Sequence, residues 1–182
     1  MNAEDFHDYL RRLPEGFYHG HAVVHWSMSL KSRATGWLDR PFHQHFRELL
    51  LHACHREMIY CPGYCLMPDH VHLMWMGMDE GSRQKPALAH LRRNFNLALP
   101  QDMELQKQPF DHVLRRHERE RGAFQKVATY IMDNPVRAGL VASRPEWPFT
   151  GAMIPGYPEL SPAMPDYWER FWRLVHSVWR KE

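Results

Sequence analysis

Cysteine is scarce in this sequence, at three residues in 182, and so is net charge, at +2. An odd, sparse set of thiols makes no disulfide framework, and a charge so near zero is too weak for a protein that coats nucleic acid, so any such contact has to be local. There is no long apolar run that would span a membrane. The opening MNAEDFHDYLRR is polar throughout instead of placing a charged segment before an apolar one, so an intracellular, cytoplasmic protein is expected. No internal repeat is visible. What is present is ordinary globular material, 44% hydrophobic and 24% charged, long enough for one compact domain with a real core.

Periodicity divides the chain into elements. FYHGHAVVHWSMSLK (17 to 31) carries β-branched and aromatic residues in partial alternation and predicts a strand. After the loop SRATGWLDRP, Phe42, Phe46, Leu49, Leu50 and Ala53 recur at helical spacing behind Pro41, which suits a first helical turn, and predict a helix to about Met58. IYCPGYCLMP and HVHLMWMGM predict two strands joined as a hairpin at the Pro68-Asp69 corner, with a bulge or edge at Pro62-Gly63. KPALAHLRRNFNLAL repeats the helical pattern at Leu88, Leu91, Phe95 and Ala98, and QPFDHVLR is strand-like. The order β-α-β-β-α-β predicts an α+β, ferredoxin-like split βαβ sandwich: an antiparallel sheet with two helices on one face, the other face left for a ligand or a further helix. A third helix is expected from about Glu118 to Asn134, where Pro135 stops it.

The tail SRPEWPFTGAMIPGYPELSPAMP is rich in Pro, Gly and aromatics and should wrap the body as an extended strap. Asp166 and Glu169 at capping-box spacing precede a last helix whose stripe of Trp168, Phe171, Trp172, Val175 and Trp179 is core or interface. The expected organisation is a lead-in over 1–16, a domain over 17–142, and a strap and helix over 143–182 packed on that domain.

Several groups of residues carry chemistry. In MPDHVHLMW, His70 and His72 are two apart on a strand and share one face, a two-nitrogen clamp for a metal or an acidic group, while Val71 and Leu73 point to the core. Against that stands chance, since there are 14 histidines and His43/His45 has the same spacing. Arginine is bunched at Arg92 and Arg93, at Arg115, Arg116, Arg119 and Arg121, and at Arg137; this is either a local phosphate-binding surface or a solvated helix face with Glu118 and Glu120 interleaved. On the third helix Phe124, Val127, Ala128 and Ile131 form the apolar stripe. Tyr130 falls about 110° and Asn134 about 70° from its centre, with Lys126 one turn earlier. Either these present a hydroxyl, an amide and an ammonium together, or the tyrosine ring packs and the asparagine ends the helix. Structural zinc at Cys54, Cys61 and Cys65 with His52 or His55 is a further alternative, weakened by the Cys-x₃-Cys spacing and the split between helix and strand.

YCLMPDHVHLMW followed by FDHVLRRHERERGAFQKVATYIMDNPVRAGLV resembles the REP-associated tyrosine transposases, of the HUH single-tyrosine transposase superfamily. The family's His-hydrophobic-His motif is matched at His70-Val71-His72, and its Tyr-Ile-x-x-Asn-Pro-Val-x-Ala-Gly-Leu-Val segment at Tyr130, Ile131, Asn134 to Val136 and Ala138 to Val141. The likeness runs from about residue 17 to 158. Asp69 stands where many members carry Asn, and Asn134 where insertion-sequence relatives use Gln as third ligand. The resemblance implies metal ligands at His70, His72 and Asn134 for Mg²⁺ or Mn²⁺, a nucleophile at Tyr130, and single-stranded DNA folded as a hairpin as partner and substrate. Arg92, Arg93, Arg115, Arg116, Lys126 and Arg137 would then contact the DNA, with unpaired bases stacked on rings such as Trp147, or Trp75 if that ring is not core. Cleavage would leave a 5′-phosphotyrosine and a free 3′-hydroxyl, and the reverse step would transfer the strand. The rival functions are a metal hydrolase without covalent catalysis and a hairpin-binding module without catalysis. Whether the chain works as a monomer or a dimer is left open by the sequence.

Overall fold

Along VVHWSMS, residues whose side chains are wholly buried alternate with half-buried ones, and this period of two makes Val23–Ser29 the first strand, β1. The computed structural model describes residues 13–179, apart from the side chains of Arg116 and Arg121; most of the expected lead-in, residues 1–12, lies outside the described residues. After β1 come α1 (Arg40–Arg56), β2 (Ile59–Met67), β3 (His70–Gly77), α2 (Gln84–Ala98), β4 (Phe110–Val113), α3 (Arg121–Met132), α4 (Asn134–Arg137), β5 (Thr150–Met153) and α5 (Tyr167–Trp179). The strands form one antiparallel sheet in the order β4-β1-β3-β2-β5. The first four are the split βαβ arrangement expected from the sequence, with β3 inserted between β1 and β2.

One face of the sheet is sealed by α1 and α2. Asp39 starts α1 by accepting a 2.7 Å hydrogen bond from the Phe42 N–H, with Pro41 in the first turn. Phe46, Leu50 and Ala53 of α1 and Leu88, Leu91 and Phe95 of α2 then bury against Trp26, Val71, Leu73 and Trp75 of the strands. Two buried polar side chains here satisfy one another, because Trp26 Nε1 donates to Gln84 Oε1 at 3.0 Å and Gln84 Nε2 donates to the Ala22 carbonyl at 2.7 Å. Trp75 is completely buried and belongs to this core.

The opposite face, expected to be left for a ligand or a further helix, receives two helices. Phe124, Ala128 and Ile131 of α3 and Phe171, Trp172 and Val175 of α5 pack on Cys65, Met67, Met74 and Met76. The aromatic stripe of α5 is therefore core, with the Phe124 and Phe171 rings stacked at 6.1 Å. The pairing of β2 with β3 slips between Tyr60 and Gly63, at the expected bulge. The slip puts Cys61 in the α1/α2 core and Cys65 in the other, so the three thiols cannot meet round one zinc ion.

Two expectations are corrected. The tail is not simply a strap, because Thr150–Met153 pairs with β2 as an edge strand. Glycine is required within it: a Cβ on Gly151 would stand 2.6 Å from the Tyr64 hydroxyl. The helix expected over 118–134 is broken, with α3 ending at Met132 and α4 starting at Asn134 across Asp133 (φ −90°, ψ 3°). Pro135 has no N–H and crowds the residue before it, which explains the break. Among the described residues no helix is long and apolar enough to cross a membrane.

Candidate active site on the open half of the sheet

Helices α3 and α5 cover only part of their face. At the β4-β1-β3 end the same face carries His25, Ser27 and Ser29 of β1, His70 and His72 of β3, and Phe110 and His112 of β4, all half-buried or exposed. Their neighbours of the other parity on β1 and β3, such as Trp26, Met28, Val71 and Leu73, are fully buried on the α1/α2 side. Strand alternation thus gives a polar, accessible surface on the back of an apolar core.

The histidine pair leaves the β2-β3 corner in a fixed direction. Trp37 Nε1 donates to the Pro68 carbonyl at 2.6 Å and the Leu30 N–H to the Asp69 carbonyl at 2.9 Å, which pins the turn. The Asp69 carboxylate accepts from His70 Nδ1 at 2.6 Å and is paired with Arg33 Nε at 3.2 Å. A carboxylate only accepts, so His70 directs an Nδ1 proton to Asp69 and presents Nε2 on the other side of the ring. His72 Nε2 lies 3.0 Å from that atom, the two rings being perpendicular with centroids 4.7 Å apart. On its other side, His72 Nδ1 is 3.0 Å from His25 Nε2.

Burial pushes the His72 pKa down to about 3, helped by His25, His70 and Arg33, and burial with the neighbouring His112 pushes His25 down to about 4. Both are therefore neutral near pH 7, the form that ligates metals. Two imidazole nitrogens converging on one point, one of them backed by a carboxylate, are a donor set that fits a divalent cation. Among the described residues no third His, Cys, Asp or Glu gathers with them at ligand spacing. Further ligands would have to be an amide oxygen, water or phosphate, which suits Mg²⁺ or Mn²⁺.

Tyr130, on the last turn of α3, is half exposed, and the Arg137 guanidinium of α4 stands over its ring at 3.7 Å from the centroid. This cation–π contact, made across the break at Asp133, holds the ring of a side chain that stays half exposed. Asn134 Nδ2 donates to the Ile131 carbonyl at 2.9 Å and the Tyr130 carbonyl at 3.3 Å, closing the end of α3. Its amide orientation is set by those carbonyls, and its oxygen is the atom left for a ligand. The structure thus gathers Tyr130, Asn134 and Arg137 in one group and His25, His70 and His72 in another. No hydrogen bond or ring contact joins the groups among the described residues. They are neighbours through the sheet: α3 lies on β2 and β3, and Cys65 of β2 pairs directly with His72 of β3.

The basic residues divide. Arg115 and Lys126 are exposed on the α3 side, as is Arg137. Arg92 and Arg93 are on α2, in the layer behind the sheet, and Arg92 donates to the Gln106 and Lys107 carbonyls, tying down the loop after α2. The Arg116 side chain lies outside the described residues. Trp147 is half-buried, with Nε1 donating to the Leu66 carbonyl at 2.8 Å. Sequence reasoning missed His25, His112 and the exposed Phe110. The signal available was parity: His25 shares its strand face with the small polar Ser27 and Ser29.

No family model and no curated protein matches the sequence. Among solved structures the chain is similar to a REP-associated tyrosine transposase bound to a REP hairpin, at 19% identity and a TM-score of 0.64, over 78% of this chain and 81% of that one. The two chains share a fold.

Proposed function

We propose that the protein is a REP-associated tyrosine transposase that cleaves and rejoins single-stranded DNA at hairpin sites. The observation that carries this function is the convergence of His70 Nε2 and His72 Nε2 at 3.0 Å with Asp69 behind His70, on a fold shared with a transposase that binds a REP hairpin. His70, His72 and the Asn134 oxygen are the groups that would hold Mg²⁺ or Mn²⁺. When bound, the cation neutralises charge on the phosphate oxygens.

The chain's own residues supply the rest. Tyr130 Oη attacks the scissile phosphorus and loses its proton to solvent, which its half-exposed position allows. The Oη–P bond forms as the P–O3′ bond breaks, and the departing 3′-oxygen takes up a proton to become a hydroxyl. The product is a 5′-phosphotyrosine, and attack by a different 3′-hydroxyl reverses the step and transfers the strand. Arg137 holds the phenol ring, while Arg115 and Lys126 provide a local cationic margin for the hairpin stem that agrees with the small net charge.

The test is covalent capture. A hairpin oligonucleotide labelled on the 3′ side of the cut, incubated with Mn²⁺, should leave label on the protein after denaturation. Tyr130→Phe should remove both adduct and cleavage while keeping hairpin binding, since the ring and its contact with Arg137 remain. Continued cutting by Tyr130→Phe would identify a metal hydrolase, and binding without cutting by the wild-type protein would identify a binding module.

A further inference from the structure

A neutral imidazole has one N–H and one lone pair, so a row of them has a fixed proton arithmetic. In this row the His70 proton is committed to Asp69, and the His70 Nε2 lone pair faces His72 Nε2 at 3.0 Å. Two lone pairs at that distance repel, so something positive must stand between them, either the His72 proton or a cation. With the proton on Nε2, His72 Nδ1 is bare and accepts from a His25 Nε2–H. With a cation there, the His72 proton must be on Nδ1 and needs an acceptor on that side. Among the described residues the hydrogen-bond partner of His72 Nδ1 is His25 Nε2, at 3.0 Å.

We propose that His25 is a positioning residue for the metal site: it accepts the Nδ1–H of His72, fixes the ring with Nε2 toward the cation, and exchanges donor for acceptor when the cation binds. This rests on the assignment of His70 and His72 as ligands. Each ring keeps one proton throughout; His72 and His25 each move theirs from Nε2 to Nδ1 through solvent, and none is gained or lost. The two ligands are thereby backed in different ways. A carboxylate holds His70 in one tautomer permanently, whereas a second imidazole lets His72 take either. His25 reaches this place because it opposes Met74 on β3, two residue pairs along from Ser27 and His72 and on the same face, so its ring lies diagonally across from the ligand.

The test uses the full chain, Mn²⁺ as the affinity probe and Mg²⁺ as the diamagnetic probe. Removing an outer partner of a ligating histidine weakens metal binding about 10- to 100-fold, so His25→Phe, which keeps a ring and removes the acceptor, should weaken Mn²⁺ binding by that factor. His25→Gln, whose amide oxygen can accept, should stay within a few-fold of wild type. Long-range ¹⁵N–¹H correlation spectra of the wild-type protein should show His72 protonated on Nε2 without metal and on Nδ1 with saturating Mg²⁺. Unchanged Mn²⁺ affinity in His25→Phe, or a His72 tautomer indifferent to Mg²⁺, overturns the role of His25 while leaving the metal site standing. Failure of the wild-type protein to bind Mn²⁺, or undiminished binding by His70→Ala, overturns the metal site itself and His25's role with it. Should His25→Phe not fold, the wild-type spectra still decide.

Discussion

The two faces of the sheet are made by the same strands and treated differently. On the α1/α2 side, alternate residues of β1 and β3 meet helices along the strands and nothing polar is left without a partner at the Trp26–Gln84–Ala22 contact. On the other side, α3 and α5 cover the β2 region and the ends of β1 and β3, and the remainder carries histidine, serine and an exposed phenylalanine. Covering one face completely and the other partly separates the folding energy from the chemistry. His70 and His72 can then be exchanged without dismantling the core that orients them.

That contrast can be broken most forcefully from the sealed face. Phe46 is fully buried, edge-on to Tyr64 at 5.4 Å and Phe95 at 6.1 Å, and Phe46→Ala should cost about 3–5 kcal/mol, read as a large fall in the urea midpoint. His70→Ala with His72→Ala, on the open half, should cost about 1 kcal/mol. Equal losses would show that the faces are not energetically distinct.

Gly151→Ala tests the edge where the tail joins the sheet. Its Cβ would displace the Tyr64 hydroxyl, which accepts from Arg47 at 2.8 Å and meets His43 Nε2 at 3.0 Å. Overpacking of this kind costs about 2 kcal/mol, and hydrogen exchange should localise the loosening to β5 and α1.

Acid compares one histidine from each face. Burial holds the His43 pKa at about 4, with Arg47 adding to it, and burial with His112 holds His25 at about 4, against an ordinary 6.5. Between those values the unfolded chain takes up protons that the folded chain refuses. Stability is therefore complete above about pH 6.5 and declines as pH falls toward 4, by on the order of 1 kcal/mol for each group. Urea midpoints at pH 7 and pH 4.5 measure the loss, and His43→Gln should lessen it.

The smallest change in stability belongs to Phe110, half exposed and paired with Ser27 on the open half. Phe110→Ala should alter the unfolding free energy, read from urea titration, by less than about 0.5 kcal/mol. If its ring stacks an unpaired base, hairpin binding should weaken by about 1–3 kcal/mol; binding unchanged in a filter assay would remove Phe110 from the DNA surface.

Much of this was legible in the chain. The apolar spacings of Phe46, Leu50 and Ala53 and of Leu88, Leu91 and Phe95 marked α1 and α2, because period and burial coincide when a helix has one covered face. The shared face of His70 and His72 followed from strand parity. The split of α3 from α4 was half visible, since Pro135 announced a stop but not the short helix beyond it whose Arg137 stands over Tyr130. Strand β5 was hidden by the Pro- and Gly-rich composition round it. Arg92 looked like its neighbour Arg93 until the loop at Gln106 and Lys107 folded onto it.

By itself the sequence determined the order of the first four strands and the two helices between them, the sealed face and the direction of the histidine pair, all of which depend on local geometry and periodicity. Tertiary structure alone decided that His25 stands behind His72, that Cys61 and Cys65 part company across the sheet, and that α3 and α5 stop short of the β4-β1-β3 end. Those outcomes depend on strand order, register and a bulge, contacts between residues tens of positions apart, and no short-range pattern encodes a distance between strands that only pairing brings together.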